Sequence, residues 1–506
     1  MPRSGGAVRS RNRLLFTTPA LCATPPKIGG EFFVGNHVNI LAFDVSSGGV
    51  SATIFDSDLQ PVSTLEREWR LVMNEDGAAT LTTDIIVQRF KEVASGLNLP
   101  KTLDAIVMSC FMHNCVLLDE RDQPLTPVFT WLDRRGEQGM EFVRSRLGDR
   151  FHERTGCRYH PMFPIFKLAT LHLHESELMR RVRRVVSAKA LLLHRLTGVW
   201  IDDFGMASCS GVFNIESEDW DSSLLSLIGL QKACFPQISN RQQIVGNITS
   251  AASAEFGLPA GVKVVNGSGD GFLANVGSGC ESPNRFTITL GTSASARQIL
   301  PRAFVDNSSG TFCYLADKAT YLVGCASSNG GNVLDWARSM FGPIPPCVPS
   351  AGVPIFIPFL HGERSPEWDS RLTGSWHGLT AGHTSADLAW SVLEGVLFNV
   401  AQYVDILEDA PDERAEEVVL SGNGFLQTQA PHLLAAILNA KVLLPRSPGL
   451  ASLRGAAICA LRALGAVVPP LDASAVAPSG DSKIGDRFHR YKQLRAMAGS
   501  GYLQTL

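Results

Sequence analysis

Apolar and polar positions along the chain change rhythm at regular intervals. Residues 38–43 are mostly apolar, 44–49 small or polar, and 50–55 largely apolar again before the turn Asp56-Ser57-Asp58. That pattern predicts a β-hairpin opening an α/β unit. Between 84 and 97, Ile86, Phe90, Val93 and Leu97 recur at the spacing of an amphipathic helix, and 104–109 reads as a buried strand. The opening plan then returns: 286–300 is again strand, small-residue turn and strand. Residues 388–407 carry the longest helical pattern, with Leu388, Val392, Leu393, Val396, Leu397 and Val400 on one side. A strand at 417–420 runs into Ser421-Gly422-Asn423-Gly424. Helix 431–440, strand 441–444 and an Ala-rich helix at 453–464 follow. Alternating strands and helices in both halves predict α/β architecture. Two halves that each open on a hairpin with a small-residue turn predict a duplicated fold with ligand between them. Pro/Gly-rich stretches at 342–354 and 467–480 read as surface loops, the second setting off a basic final helix at 486–496.

Composition narrows the picture. The 506 residues suffice for roughly two to four domain-sized units. A formal charge of −3 gives no reason to expect a nucleic-acid or membrane-surface partner. No stretch of about 18 apolar residues is present to span a bilayer. The 11 cysteines are scattered and show no Cys-x-x-Cys or zinc spacing, which suits reduced thiols in a cytosolic setting. Cys110 and Cys115 read as buried small apolar residues rather than a redox pair. Residues 1–37 stand apart: Arg3, Arg9, Arg11, Arg13 and Lys27 all precede the first acid, Glu31. Such composition fits a transit peptide to an organelle; the simpler reading, adopted here, is a disordered extension on a cytoplasmic protein.

The candidate chemistry concentrates in 264–299. Asp270 stands among glycines at the predicted start of a helix, and Gly291-Thr292-Ser293 forms the turn of the second hairpin. A carboxylate there can take a proton from a substrate hydroxyl, and a turn without bulky side chains can lie against phosphate oxygens. Together they suggest a cleft that moves a phosphoryl group.

Further segments join these in a set order. They are Ser109-Cys-Phe-Met112-His113-Asn, the Trp131-Leu-Asp133-Arg-Arg135 segment, Thr155-Gly-Cys-Arg-Tyr-His160, residues 203–210 and Trp220-Asp221. Asp270-Gly-Phe-Leu-Ala-Asn-Val-Gly and Leu290-Gly-Thr-Ser293 come next. Asn329-Gly-Gly-Asn332, Phe359-Leu-His-Gly-Glu-Arg364-Ser-Pro366 and Ser421-Gly-Asn-Gly424 complete the series. In this order they resemble the FGGY carbohydrate kinases over nearly all of 38–496, and the wording around Thr155, Asp270 and Asn329 is most similar to the gluconate-kinase branch. The resemblance implies two ribonuclease H-like domains of the actin-like ATPase type with a cleft between them. An N-terminal sugar-binding domain would span 38–281 and a C-terminal ATP-binding domain 282–498, flanked by the extension 1–37 and a tail 499–506. It implies ATP and Mg²⁺ as cofactors and a small-molecule sugar or sugar acid as partner, with no nucleic acid and no membrane; a homodimer is allowed.

Each candidate residue has a plain reading beside the functional one. Asp270 is either the general base or a helix N-cap. Asp44, ending the first strand, either holds Mg²⁺ or closes an Asx turn. Ser46, Ser47 and Gly48 in the first turn, and Gly291, Thr292 and Ser293 in the second, are the expected phosphate contacts. Gly422, Asn423 and Gly424 either let the backbone approach adenosine or make an ordinary strand-to-helix turn. Met112 and His113 end a strand and are sugar contacts by family position. Trp131, Asp133 and Arg135 line the substrate pocket or brace it through an Asp–Arg pair. His172 and His174 lack a third ligand and read as solvent-side residues.

The first hairpin departs from the family pattern. Ser46 stands where a glycine is usual, and Ser51 where Lys or Arg is usual. Loss of that cation can cost about 2–4 kcal/mol in the transition state, while Gly48 and Gly49 would restore a flexible N–H cradle. Asn423 interrupts another glycine position, and Phe111 is apolar where several branches are polar. The alternative to an active kinase is therefore a kinase-fold sugar sensor or regulatory partner with little turnover.

Overall fold

The structure of the chain, a computed structural model, describes residues 38–349, 352–408, 417–426, 428–480 and 482–499. The readings made for 1–37 and for the end of the tail lie outside the described residues.

The opening hairpin forms as its pattern requires. Ile40–Val45 pairs antiparallel with Gly49–Phe55 in a register that sets Asp44 opposite Ser51. Pro61–Glu68 continues the meander at the sheet edge, with most of its side chains exposed. On the other side of Ile40–Val45 lie Ala105–Cys110 and then Lys263–Gly269, all parallel, and Ile244–Asn247 closes the six-stranded sheet antiparallel. Ala105–Cys110 is buried throughout, as expected of a central parallel strand covered on both faces. Helix Thr83–Gly96 covers one face. Thr82 caps it by accepting a hydrogen bond from the Ile85 N–H, and Phe90 stacks on Phe43 of the first strand with ring centroids 4.3 Å apart.

The second sheet repeats the plan. Arg285–Leu290 pairs antiparallel with Ala294–Leu300, which is followed outward by Thr320–Ser327 and Phe312–Asp317. On its other side Glu417–Ser421 and Lys441–Pro445 run parallel to it. The 24-residue helix Ser385–Glu408 realises the longest apolar pattern.

Two expectations for the C-terminal region change. The stretch 467–480 is not only loop: Ala473–Val476 adds a seventh strand, antiparallel to Lys441–Pro445. Its four small residues carry too little apolar contrast to announce a strand. The final helix runs over Ser482–Gly499 and is not set off from the rest. Arg495, 1% exposed, pairs with Glu367 at 2.5 Å and donates to Asn399 Oδ1 and to the Ser365 carbonyl. A buried positive charge is the anchor of the helix.

The halves interlock through two helices. Asp270–Gly277 crosses Ala451–Ala463 so closely that a Cβ on Gly277 would stand 1.9 Å from the Ala451 carbonyl oxygen. A Cβ on Gly455 would stand 1.9 Å from the Leu273 carbonyl oxygen. Ala451–Ala463 belongs in sequence to the second half, yet Ala456, Ala457 and Leu461 share a core with Ile40, Ala42 and Val107 of the first sheet. No helix among the described residues is long and apolar enough to cross a membrane.

Candidate active site

The carboxyl ends of the central strands of both sheets converge on a cavity of about 290 Å³. The first half lines it with Ser46, Ser47, Met112, His113, Trp131 and Asp270. The second contributes Gly291, Thr292 and Ser293, together with two arginines: Arg297, which sequence reasoning did not single out, and Arg364, noted there only as part of the 359–366 segment and given no role. A larger hollow of about 510 Å³, bounded by Arg285, Glu417, Arg454 and Arg462, contains none of the expected residues.

Asp270 follows directly on the strand Lys263–Gly269 and is the first residue of its helix. Gly269, not Asp270, occupies the N-cap, and no side chain caps that end. The carboxylate is thus not spent on capping; Oδ1 accepts the N–H of Gly271 at 2.7 Å, and the Met112 backbone also favours the charged form. Burial, helped by the charge of Asp44, pushes its pKa up from 3.8 to about 7, against the pull of the Gly271 N–H and of Arg297. A base poised near neutrality suits proton abstraction from a hydroxyl.

Asp44 does not line the cavity, and it does not close an Asx turn. Its Oδ1 is buried without a hydrogen-bond partner among the described residues. Burial raises its pKa against the pull of the neighbouring Ser109 hydroxyl, with the charge of Glu66 adding to the rise. The turn is closed instead by Ser46, whose Oγ accepts the N–H groups of Gly48 and Gly49, both at 3.1 Å. This corrects the expectation of a free N–H cradle: the hydroxyl that replaces the usual glycine satisfies those donors internally. The Trp69 indole donates to the Ser47 carbonyl, fixing the tip further.

The second turn is open. Gly291 is held by Ser293, and the carbonyls of Gly291 and Thr292 accept from Gly331 and Asn332. The N–H and hydroxyl groups of Thr292 and Ser293 have no partner among the described residues. Gly422 and Gly424 lie outside the cavity lining and pack against this hairpin from behind. A Cβ on Gly422, at φ +89°, would stand 2.3 Å from the Leu290 carbonyl oxygen, to which the Gly424 N–H donates at 2.8 Å. Contact with the hairpin backbone alone accounts for both glycines; Asn423 packs its amide over Gly449.

The strand Ala105–Cys110 stops short of the expected strand-end pair, and His113, at φ +59°, lies in the bend that follows it. Its Nδ1 lies 2.9 Å from the Cys209 carbonyl, so Nδ1 carries the proton and Nε2 is left as an acceptor. Burial lowers its pKa to about 3, keeping the ring neutral. Met112 packs on Gly269 and Gly271 beside Asp270. Of the Trp131 group, only the indole reaches the cavity. Arg135 grips the fully buried Asp133 at 2.6 Å, and Asp133 also accepts the Ala79 N–H, so this pair braces the wall.

Arg364 lies 5.7 Å from the Trp131 ring centroid, and its charge depresses the pKa values of His113 and His160, both driven down chiefly by burial. Arg297 crosses between the halves, donating to Asn275 Oδ1 at 3.0 Å and to Thr289 Oγ1 at 2.6 Å. Neither arginine forms an ion pair among the described residues. Arg297 sits in a strand of small and apolar residues, where a lone arginine reads as an exposed position; only the burial of every neighbour on that strand marks it.

Two sequence profiles match the chain. The N-terminal domain of the FGGY family of carbohydrate kinases matches residues 39–277, and the C-terminal domain matches 287–464. Gluconokinase of Bacillus subtilis (strain 168) is 28% identical over 389 residues, covering 72% of this chain and 75% of that protein. Xylulose kinase of Lactococcus lactis subsp. lactis is 24% identical over 430 residues, 81% of this chain and 86% of that one. The crystal structure of gluconate kinase from Lactobacillus acidophilus superposes with a TM-score of 0.86 at 25% identity, covering 93% of this chain and 100% of that one. With both domain profiles matched in order over most of its length, the chain belongs to the FGGY family of carbohydrate kinases.

Proposed function

We propose that this chain transfers the γ-phosphoryl group of ATP to a hydroxyl of a gluconate-like sugar acid. The observation that carries the reading is Asp270, uncommitted to capping and titrating near neutrality, in one cavity with the open donors of Thr292 and Ser293. The acceptor hydroxyl oxygen forms its bond to the γ-phosphorus as the bond to the β–γ bridging oxygen breaks. ADP leaves, and the hydroxyl proton passes to Asp270. The Thr292 and Ser293 groups donate to the transferring oxygens, where preorganised donors act most strongly. His113 Nε2 accepts from a sugar hydroxyl, and Trp131 offers an apolar face to the carbon chain.

An acidic acceptor is favoured by Arg364, a buried cation at the His113–Trp131 end of the cavity that can pair a carboxylate. The names of the similar gluconokinases point the same way. The donors present also fit one magnesium ion. Asp44 Oδ1 is buried without a partner among the described residues, and Mg²⁺ is commonly held by one or two carboxylates with phosphate and water completing the shell. When bound, the ion neutralises charge on the β- and γ-phosphates.

Ternary-complex assembly in a closed cleft protects the phosphoryl group from water. The test is ADP release with MgATP across gluconate, xylulose, ribulose, glycerol and a heptulose. Gluconate should stimulate most. A rate unaffected by every acceptor removes the kinase reading, and preference for a neutral ketose removes the sugar-acid assignment.

A further inference from the structure

The first hairpin leaves a charge problem that the structure locates. Ser51 stands opposite Asp44 on one side and Glu66 on the other, so no cation faces the site from that position. The N–H groups of Gly48 and Gly49 are turned onto Ser46 Oγ. Asp44 and Asp270, meanwhile, are near enough for the charge of one to raise the other. A γ-phosphate entering between these carboxylates and the second hairpin brings more negative charge, and a buried site answers such charge with a fixed cation.

Two buried cations line the cavity. Arg364 belongs to the His113–Trp131 end. Arg297 belongs to the other, beside Asp270 and the second hairpin. Its Nε is fixed by Asn275 on the helix that Asp270 begins, and its Nη2 by Thr289 on the strand leading into Gly291. Nη1 has no hydrogen-bond partner among the described residues, and it would stand 3.4 Å from a Cβ placed on Gly271. A Cβ at 271 would also stand 3.0 Å from Met112 Sδ, so glycine there keeps a side chain from crowding the uncommitted guanidinium N–H, which faces the cavity. Two of the three guanidinium nitrogens hold the group in place, one through each half of the molecule, and the third is left for a ligand.

We propose that Arg297 is a catalytic residue that takes the charge of the transferring phosphoryl group, supplying from the second hairpin the cation that the first hairpin lacks at Ser51. This rests on the phosphoryl-transfer reading above. Nη1 donates to a γ-phosphoryl oxygen while the bond to the β–γ bridging oxygen breaks and the bond to the acceptor oxygen forms; the acceptor proton still goes to Asp270, and the guanidinium keeps its own. Because Asn275 and Thr289 come from opposite halves, the cation is in position only when the halves are in register.

The experiment compares the full-length parent with Arg297→Met and Arg297→Lys in the coupled ADP assay, with acceptor and ATP binding followed by calorimetry and folding by thermal melting. Arg297→Met should lose roughly 10²–10³-fold in kcat with KM values for acceptor and ATP little changed. Added guanidinium ion should restore part of the rate, and Arg297→Lys should lie between the two. Placing a lysine at Ser51 in the Arg297→Met background should raise turnover again. A kcat within a few-fold of the parent overturns the proposal. So does a loss confined to acceptor KM, which would make Arg297 a substrate clamp. A loss with a collapsed melting transition, no guanidinium recovery and an equally inactive Arg297→Lys would make it a scaffold residue and likewise overturn the proposal. Failure of the parent itself to consume ATP with any acceptor is a different result and counts against the kinase reading.

Discussion

Replacing Asp270 with asparagine should make the protein both less active and more stable, and the pH dependence of the gain is calculable. In the folded chain the carboxyl titrates near 7 instead of near 3.8, chiefly because burial penalises its charged form. An acid whose folded pKa is raised binds its proton more tightly in the native state. Its contribution is therefore most favourable below the unfolded value and is lost as pH climbs from about 4 to about 7. At 1.36 kcal/mol per pH unit, the interval amounts to about 4 kcal/mol of native-state destabilisation at pH 8. Asp270 is only half-buried and keeps one side towards the cleft, so solvent screening trims this to about 1–3 kcal/mol. Asparagine keeps the shape and removes the charge, and it also relieves Asp44 of a like-charged neighbour.

Denaturant unfolding of parent and Asp270→Asn at pH 5 and pH 8 is the assay, paired with turnover. The variant should be more stable by about 1–3 kcal/mol at pH 8, with the advantage shrinking towards pH 5. Its kcat should fall by about 10²–10⁴, the usual worth of a positioned base. The parent's kcat/KM should show an acid limb centred near pH 7 that the variant lacks. Equal stability at pH 8, or a larger gain at pH 5 than at pH 8, would refute the claim that the site holds this charge against its preference. Near-parent turnover would refute its assignment as base.

Two further substitutions probe the frame around it. Gly277→Ala puts a methyl where the Ala451 carbonyl oxygen lies 1.9 Å away, so the helix crossing must part; the unfolding free energy should drop by about 1–3 kcal/mol, and an unchanged value would show that the helices can slide at no cost. Ser46→Gly removes the hydroxyl that occupies the Gly48 and Gly49 N–H groups and should lower the KM for ATP several-fold, whereas a raised KM would show that the Ser46 hydroxyl itself serves the nucleotide.

What could be read in the chain beforehand follows a physical line. Both hairpins and the central strands were legible because burial on both faces leaves apolar runs that no other element of that length produces. Asp270 stood out because an acid among glycines at a strand-to-helix junction is a local feature. Arg297 did not, because the groups that hold it, Asn275 of the other half among them, are distant in sequence, and a period-two pattern carries no record of what faces a strand from elsewhere. The final helix was read only as basic and set off, for the same reason: its sequence does not show that Glu367 and Asn399 meet Arg495 and bury it. The first turn is a different case. The capture of two N–H groups by Ser46 is local chemistry, readable from a serine two and three residues ahead of glycines, and it was missed because glycine was credited with freedom that its neighbour removes.

The duplication that makes the fold recognisable does not divide the chemistry evenly. Equivalent hairpins carry opposite charge: the first has Asp44, half-buried and outside the cavity lining, and closes its own donors, while the second leaves its donors open and brings Arg297 to the cavity. A turn with one carboxylate and no free donors can hold a cation but not a naked phosphate, and the donor-rich turn has no base of its own. Turnover therefore depends on the register between the halves more than on either half's stability. One of the places that set this register is where the helix that starts with Asp270 meets the helix carrying Ser452, whose hydroxyl donates to the Asp270 carbonyl at 3.3 Å; another is the backbone contact of Gly156 with Cys313. With backbone on backbone at Gly277 and Gly455, the crossing has almost no slack, so Asp270, its carbonyl and the Asn275 that steadies Arg297 share one tightly packed piece. A small shift at that crossing should accordingly displace proton acceptor and phosphoryl cation together, and damage there should lower kcat before it affects the binding of either substrate.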